Sequence, residues 1–216
     1  MRPIAVIDYD MGNLRSVQKA LERVGATAVV TRDPAVIAGA AGAVLPGVGA
    51  FRMCMDNLRR YGLVEPVREF VASGRPFLGI CVGMQILFEE GEEFGRVAGL
   101  GILRGRVIRF EADPEAGRKV PQMGWNTLAI RRRAPHLAGI PDGAFVYFVH
   151  SYYPVPADEG VVAATTEYGV EFASAVWRGN VFATQFHPEK SQAVGLRLLE
   201  NFAGLVGGGR GIAAAS

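Results

Sequence analysis

A cysteine flanked by glycines opens the chemistry of this chain: residues 79–85 read GICVGMQ, with Cys81 at the centre. The run lies between a fully apolar stretch and a helix-like one whose apolar residues include Val82, Ile86 and Leu87. A strand turning sharply into a helix holds its apex side chain in a tight conformation, and glycine two positions before and after relieves the crowding. The spacing G-x-C-x-G therefore predicts a nucleophile elbow. A helix start would also lower the thiol pKa through the positive end of its dipole. The plainer alternative is a buried, inert cysteine, which is how Cys54, inside an ordinary helical stretch, is read.

A thiolate used for acyl transfer needs a proton shuttle, and the histidines are His136, His150 and His187. His187 is the best placed, at the end of the apolar run VFATQF and followed by Pro188 and Glu189. In an extended segment residues i and i+2 point the same way, so Glu189 is expected to hold the imidazole. Alone, His-Pro-Glu suits a structural strand cap equally well; beside the elbow it points to a triad. His136, in the basic stretch RRRAPH, reads as part of a solvated loop, and His150, within FVHSYY, as a structural histidine. The tetrahedral oxyanion needs two donors. One is expected from the Val82 N–H and the other from the PGVGAF segment, residues 46–51, whose glycines allow unusual peptide orientations, although alone that segment suits a tight strand-helix connection equally well.

These groups must be positioned by the elements around them. Through the first ninety or so residues, short Val-, Ile- and Ala-rich runs alternate with helix-like segments, the pattern of a parallel sheet wrapped by helices. Strands are expected at 4–8, 28–31, 43–45 and 77–80, and helices over 13–24, 52–60 and 64–73. Residues 77–80 are apolar on both faces, as a covered central strand requires. Farther on, strands follow one another without helices, at 106–110, 127–130, 144–153, 172–177 and 180–186, the last two joined by a tight turn at Arg178-Gly179. A helix over 192–206 closes one domain, residues 1–206, and 207–216 read as a flexible tail. The fold class is α/β: a single domain with an open, mostly parallel sheet flanked by helices and an antiparallel β portion in the second half.

Of the 216 residues half are apolar and only 20% charged, with net charge +2, which gives no electrostatic reason to expect nucleic acid or an acidic membrane. Two cysteines are too few for a disulfide framework, and a reactive thiol is easier to keep reduced in the cytosol, so a cytoplasmic location is expected. The N-terminus reaches charged and turn residues too soon for a signal sequence or membrane span. Neither a Walker-type phosphate loop nor a cysteine-histidine metal spacing is present, and a thiolate, an imidazole and two donors complete acyl transfer without cofactor or metal.

Together these residues resemble the class I, or triad, glutamine amidotransferases, which carry G-x-C-x-G (here 79–83), Gln85 and FHPE (186–189) in this order; the resemblance covers nearly the whole chain. PGVG at 46–49, PQMGWN at 121–126, YFVHSYY at 147–153 and FHPEKS at 186–191 are similar to the branch of that family that serves imidazole glycerol phosphate synthases. The resemblance implies a flavodoxin-like fold and hydrolysis of L-glutamine through a cysteinyl thioester, with Cys81, His187 and Glu189 as triad. It implies that glutamine is held near Gly49, Ser151 and Tyr152 and by Gln85 and Glu93. It also implies a heterodimer with a (β/α)8 cyclase subunit that receives the ammonia. Trp125, Asn126, Tyr147 and the loop Asp10, Met11, Gly12 and Asn13 are the candidates for the docking face, although Trp125 fits a core position as well. The PGVG glycines suggest further that the Val48 peptide is turned toward the oxyanion only on docking, so that the isolated chain is slow. Two other readings share part of this pattern: a glutaminase of another pathway, such as pyridoxal phosphate synthesis, and a non-catalytic flavodoxin-like protein whose elbow cysteine senses oxidants.

Overall fold

The computed structural model describes residues 2–113, 115 and 119–208. Its first part alternates strand and helix: β1 (Ile4–Ile7), α1 (Leu14–Arg23), β2 (Ala28–Thr31), α2 (Pro34–Gly39), β3 (Gly42–Gly47), α3 (Phe51–Arg60), α4 (Val64–Ala72), β4 (Phe77–Cys81) and the single turn α5 (Val82–Gln85). Short strands follow: β5 (Phe88–Gly91), β6 (Val97–Ala98), β7 (Leu103–Arg109), β8 (Gln122–Thr127), β9 (Ala129–Ile130), β10 (Phe145–His150), β11 (Tyr152–Pro156), β12 (Val162–Glu167), β13 (Glu171–Arg178) and β14 (Val181–Thr184). The helix α6 (Gln192–Gly207) comes last.

Eight strands form one sheet in the order β2-β1-β3-β4-β14-β13-β12-β9. The five from β2 to β14 are parallel, and β13, β12 and β9 extend the sheet antiparallel. Every residue of β1, β3, β4 and β14 is buried, as strands covered on both faces must be. The chain steps from β1 out to β2 and back past β1 to β3, so the winding reverses between β1 and β3. Ligands of such sheets collect beyond the carboxyl ends of the strands near that reversal. A four-stranded sheet, β11-β7-β5-β6, and the ribbon β10-β8 stand beside the main sheet. Phe110 joins them to it, with ring centroids 4.4 Å from Tyr153 and 5.3 Å from Phe172; such aromatic pairs contribute about 0.5–1.5 kcal/mol each beyond their buried area.

Several sequence expectations change in detail. The segment 144–153 is two strands, β10 and β11, because the chain changes partner at Ser151, from β8 to β7. β8, rich in polar residues and Gly124, and β12, rich in alanine and threonine, carry too weak a periodicity to stand out in the sequence. The helix α2 is equally unmarked by apolar spacing; Pro34 begins it and the Asp33 carboxylate accepts from the Ala35 N–H at 2.8 Å. The β13–β14 turn is Gly179-Asn180, one residue later than expected, with Gly179 at φ +57° supplying the positive φ such a turn needs first. Gly207 closes α6 rather than opening a tail, and the rest of the expected tail, from residue 209, lies outside the described residues.

Candidate active site

Cys81 joins β4 to α5 at φ 55° and ψ −114°, a sparsely populated conformation of the kind that concentrates at functional sites. The glycines around it are sterically required. A Cβ on Gly83 would stand 1.9 Å from the Leu45 carbonyl oxygen, and one on Gly79 would stand 3.0 Å from both the Gly83 oxygen and Ala183 Cβ. Gly47 is the register partner of Cys81 in the β3–β4 pair, and a Cβ there would meet the Gly83 nitrogen at 2.5 Å. The PGVG loop is thereby pressed against the elbow, and Val48 comes next along it. The elbow helix is shorter than the apolar residues suggested: α5 is four residues long, and Phe88 already belongs to β5. One turn brings little of a helix dipole to the sulfur.

β14 pairs in parallel with β4, which carries the segment after it to the same sheet end. The Thr184 hydroxyl donates to the Phe186 carbonyl at 2.9 Å, and Pro188 starts a 3₁₀ turn, Pro188–Lys190. Only His187 keeps an extended backbone; the turn folds Glu189 back so that its Oε1 lies 2.8 Å from His187 Nδ1, with both side chains at most 2% exposed. A carboxylate accepts only, so Nδ1 carries the proton and Nε2 is left for proton exchange. Ser191 fixes the turn: its hydroxyl donates to the His187 carbonyl at 2.7 Å and accepts from the Tyr147 N–H at 3.0 Å. Burial disfavours the His187 imidazolium, but the negative charge of the Cys81 sulfur, and then Glu189, outweigh it and hold His187 well above the ordinary histidine range. Even so, His187 Nε2 makes no hydrogen bond of ordinary geometry. Catalytic hydrogen bonds are often long before substrate is in place.

Cys81 and His187 open on a cavity of about 290 Å³, at the small end of ligand pockets and suited to an amino acid. Val48, Gly49, Val82, Gln85, Glu93, Ser151 and Tyr152 all line it. Glu189 does not line it. Gln85, only 3% exposed, donates through Nε2 to the Tyr152 carbonyl at 2.8 Å and to Gln185 Oε1 at 3.0 Å. Glu93 Oε2 accepts from the Phe51 N–H at 2.7 Å. It thus caps α3 from a distance, where Ala50 has no side chain able to do so, and ties its own loop to the end of the PGVG segment. Burial, helped by the nearby charge of His187, pushes His150 down to about 4. Its Nδ1 donates to the Tyr152 carbonyl at 2.8 Å and its Nε2 lies 2.9 Å from Gln122 Oε1, which ties β8, β10 and β11 together in the structural role expected of it.

Two residues of this site escaped the sequence reading. Gln185 is fully buried, and its Nε2 lies 3.7 Å from the Cys81 sulfur. The signal was a lone amide inside the apolar run VFATQF. Tyr9, also fully buried, donates from its hydroxyl to the Pro46 carbonyl at 2.6 Å, pinning the first residue of the PGVG loop; nothing in the sequence around it marks that partner.

Elsewhere, burial pushes the Cys54 thiol up to about 12, which keeps it inert as expected. His136 is a correction. Far from being in a solvated loop, it is fully buried, with its ring stacked on Phe182 at 4.3 Å and neither nitrogen hydrogen-bonded. Arginines dominate the composition of RRRAPH, but the 3₁₀ turn Pro135–Leu137 folds the histidine inward under α6. Of the docking candidates, Trp125 is 46% exposed and meets Tyr147 edge-on at 5.9 Å, which removes the core alternative. Met123 and Phe145 on the same ribbon are 66% and 60% exposed. Asn126 is instead engaged internally, donating to the Glu167 carbonyl at 2.8 Å. Asp10 is held by Arg32 at 2.7 Å and by the Tyr61 hydroxyl, while Met11 lies buried beside Gly49. Gly12 and Asn13 lie half-buried between that loop and α1. Among the described residues no helix is long and apolar enough to cross a membrane, and no group of three or more His, Cys, Asp or Glu could hold a metal ion.

A strained elbow cysteine beside a buried His–Glu pair, at the carboxyl ends of an open α/β sheet, defines the class. The chain belongs to the family "Glutamine amidotransferase class-I", which matches residues 5–204. Within it, the chain is similar to "Imidazole glycerol phosphate synthase subunit HisH" of Geobacter sulfurreducens, 60% identical over 94% of this chain and 98% of the relative. It is 63% identical to the protein of the same name from Syntrophotalea carbinolica, over 92% and 98% of the two chains. A solved glutamine amidotransferase superposes with TM-score 0.72 at 25% identity, covering 94% of this chain and 98% of that one. PurLQS from Thermotoga maritima, at TM-score 0.70 and 21% identity over 95% and 98% of the chains, shares the fold.

Proposed function

We propose that the chain hydrolyses L-glutamine to L-glutamate and ammonia on Cys81, and that the ammonia passes to a (β/α)8 cyclase subunit in a heterodimer, where it converts phosphoribulosyl-formimino aminoimidazole carboxamide ribotide (PRFAR) to imidazole glycerol phosphate and aminoimidazole carboxamide ribotide in histidine biosynthesis. The observation that carries the first half is the convergence of the strained Cys81 elbow and the buried His187–Glu189 pair on one amino-acid-sized cavity. The high identity to relatives that share one name supports the second half over another glutaminase pathway. An oxidant sensor would have no use for the His187–Glu189 pair.

The reaction follows from these groups. The Cys81 thiolate attacks the carboxamide carbon, and the N–H groups of Val82 and Val48 receive the oxyanion. His187, charged because Glu189 and the sulfur favour its imidazolium, gives its Nε2 proton to the departing nitrogen, and ammonia leaves a glutamyl thioester. Neutral His187 then takes a proton from water, whose oxygen attacks the thioester, and glutamate and the thiolate are released. Gln85, Glu93, Ser151, Tyr152 and Gly49 hold the glutamine. Asp10, Met11, Gly12 and Asn13, with Trp125, Asn126 and Tyr147, belong to the docking region. Tyr147 links that region to the site directly, since its carbonyl accepts from the His187 N–H at 3.0 Å.

Glutaminase turnover measured with and without the cyclase subunit and its nucleotide ligand tests this reading, comparing wild type with Cys81→Ala. Turnover should rise on complex formation and vanish in the variant. Equal rates alone and in complex would refute control by the PGVG loop, and activity in Cys81→Ala would refute the nucleophile.

A further inference from the structure

Two groups compete for the Cys81 sulfur. Its Sγ lies 3.9 Å from the Val149 carbonyl oxygen on β10, which can accept from a thiol but repels a thiolate. The other is the Gln185 amide, fully buried just after β14, with Nε2 3.7 Å from the sulfur. Which end of that amide faces the sulfur is dictated from a distance. The Tyr152 carbonyl can only accept, so the Gln85 group beside it must be the NH₂. The second N–H of that NH₂ needs an acceptor, which Gln185 Oε1 provides at 3.0 Å. With its oxygen so committed, Gln185 must present its NH₂ to Cys81. A backbone carbonyl on the substrate wall therefore sets, through two buried amides, the polarity of the group facing the nucleophile.

We propose that Gln185 is a positioning residue of the glutaminase reaction, donating a hydrogen bond that holds the Cys81 sulfur as a thiolate away from the Val149 carbonyl, with Gln85 and the Tyr152 carbonyl fixing its orientation. The proposal rests on Cys81 being the nucleophile. A charge-assisted hydrogen bond is stronger than a neutral one, so the Gln185 N–H favours the charged sulfur over the neutral one. The ionisable groups that share the field of the sulfur are His187 after β14, Tyr9 after β1 and Cys54 on α3; His150, Tyr152, Glu93 and Lys190 line the same cavity. Gln185 carries no charge of its own, so replacing it by Met subtracts no ionisable group from this set.

The test is the pH dependence of Cys81 alkylation by iodoacetamide in the full chain, read site by site by mass spectrometry, alongside the pH profile of glutamine turnover in the complex with the cyclase subunit. Gln185→Met keeps the side-chain length and loses the donor. Its alkylation midpoint should rise by about one pH unit, slowing alkylation about tenfold at pH values below both midpoints, and the acid limb of kcat/KM should move with it. Gln185→Glu, which also turns an acceptor toward the sulfur, should shift both further. A purely packing role predicts reduced activity with wild-type midpoints in both variants, and that result would overturn the proposal. Thermal melting identifies a variant that has lost its fold, in which case the other decides. If alkylation of Cys81 leaves turnover intact in the wild type, the nucleophile assignment fails instead.

Discussion

Replacing Gly83 by alanine puts a methyl carbon 1.9 Å from the Leu45 carbonyl oxygen, a backbone atom of a buried central strand that cannot swing aside. Carbon atoms of this kind essentially never approach closer than 3.0 Å, so the elbow and β3 must separate by at least about 1.1 Å, and a misplacement of about 1 Å can cost about 10²-fold in rate. Overpacking of this size also destabilises by about 1–3 kcal/mol. Gly79→Ala is the matched comparison. Its methyl would meet Ala183 Cβ and the Gly83 oxygen at 3.0 Å, a clash relieved by a few tenths of an ångström. Glutamine turnover of the two variants in complex with the cyclase subunit, with urea unfolding of each, should show Gly83→Ala reduced by about 10²-fold or more and Gly79→Ala by less than about tenfold. Gly83→Ala with wild-type kcat and unfolding midpoint would refute the claim that backbone contact at the elbow aims the nucleophile.

Glu189→Gln preserves the shape of the buried carboxylate while removing its charge, and is expected to lower kcat by about 10²–10⁴-fold with little change in KM, by steady-state kinetics; a change confined to KM would contradict the role given to it. Burial lowers His136 to about 3, so below about pH 6.5 the unfolded chain binds a proton that the folded chain refuses, and stability falls as pH drops toward 3. That loss amounts to about 2 kcal/mol at pH 5. His136→Phe, stacked on Phe182 as before, should retain neutral-pH stability and flatten the decline between pH 7 and 5 in urea unfolding, incompletely because His150 titrates in the same sense. Trp125→Ala should leave the melting temperature of the isolated chain within about a degree or two, as expected for an exposed side chain, yet weaken capture of the cyclase subunit at least about tenfold, as loss of an interface aromatic does.

What the sequence disclosed were features whose chemistry is local. GICVGMQ announces the elbow because the glycines answer to contacts within a few residues and one neighbouring strand. HPE places a histidine and the carboxylate it pairs with two residues apart. The parallel half of the sheet was legible because β1, β3 and β4 are apolar on both faces. Features that depend on distant partners were not legible. The length of the elbow helix is set by the exit of the chain into β5 and its pairing with β7, and the split at Ser151 by a change of partner strand. His136 looked solvated because its basic neighbours set the local composition, while α6 and Phe182 decide its burial. Gln185 left a trace, one amide in an apolar strand, but its meaning depends on Gln85, one hundred residues earlier. The same holds for Glu93, whose cap on α3 cannot be read from spacing.

The most direct test of the central claim is to trap the acyl-enzyme. The complex of this chain with the cyclase subunit and its nucleotide ligand, mixed with glutamine and quenched in acid within a turnover, should carry a glutamyl group on the peptide containing Cys81. The adduct should be absent from Cys81→Ala. Full turnover with no adduct on that peptide, or an adduct on Cys54 instead, would contradict the assignment of Cys81 as the nucleophile.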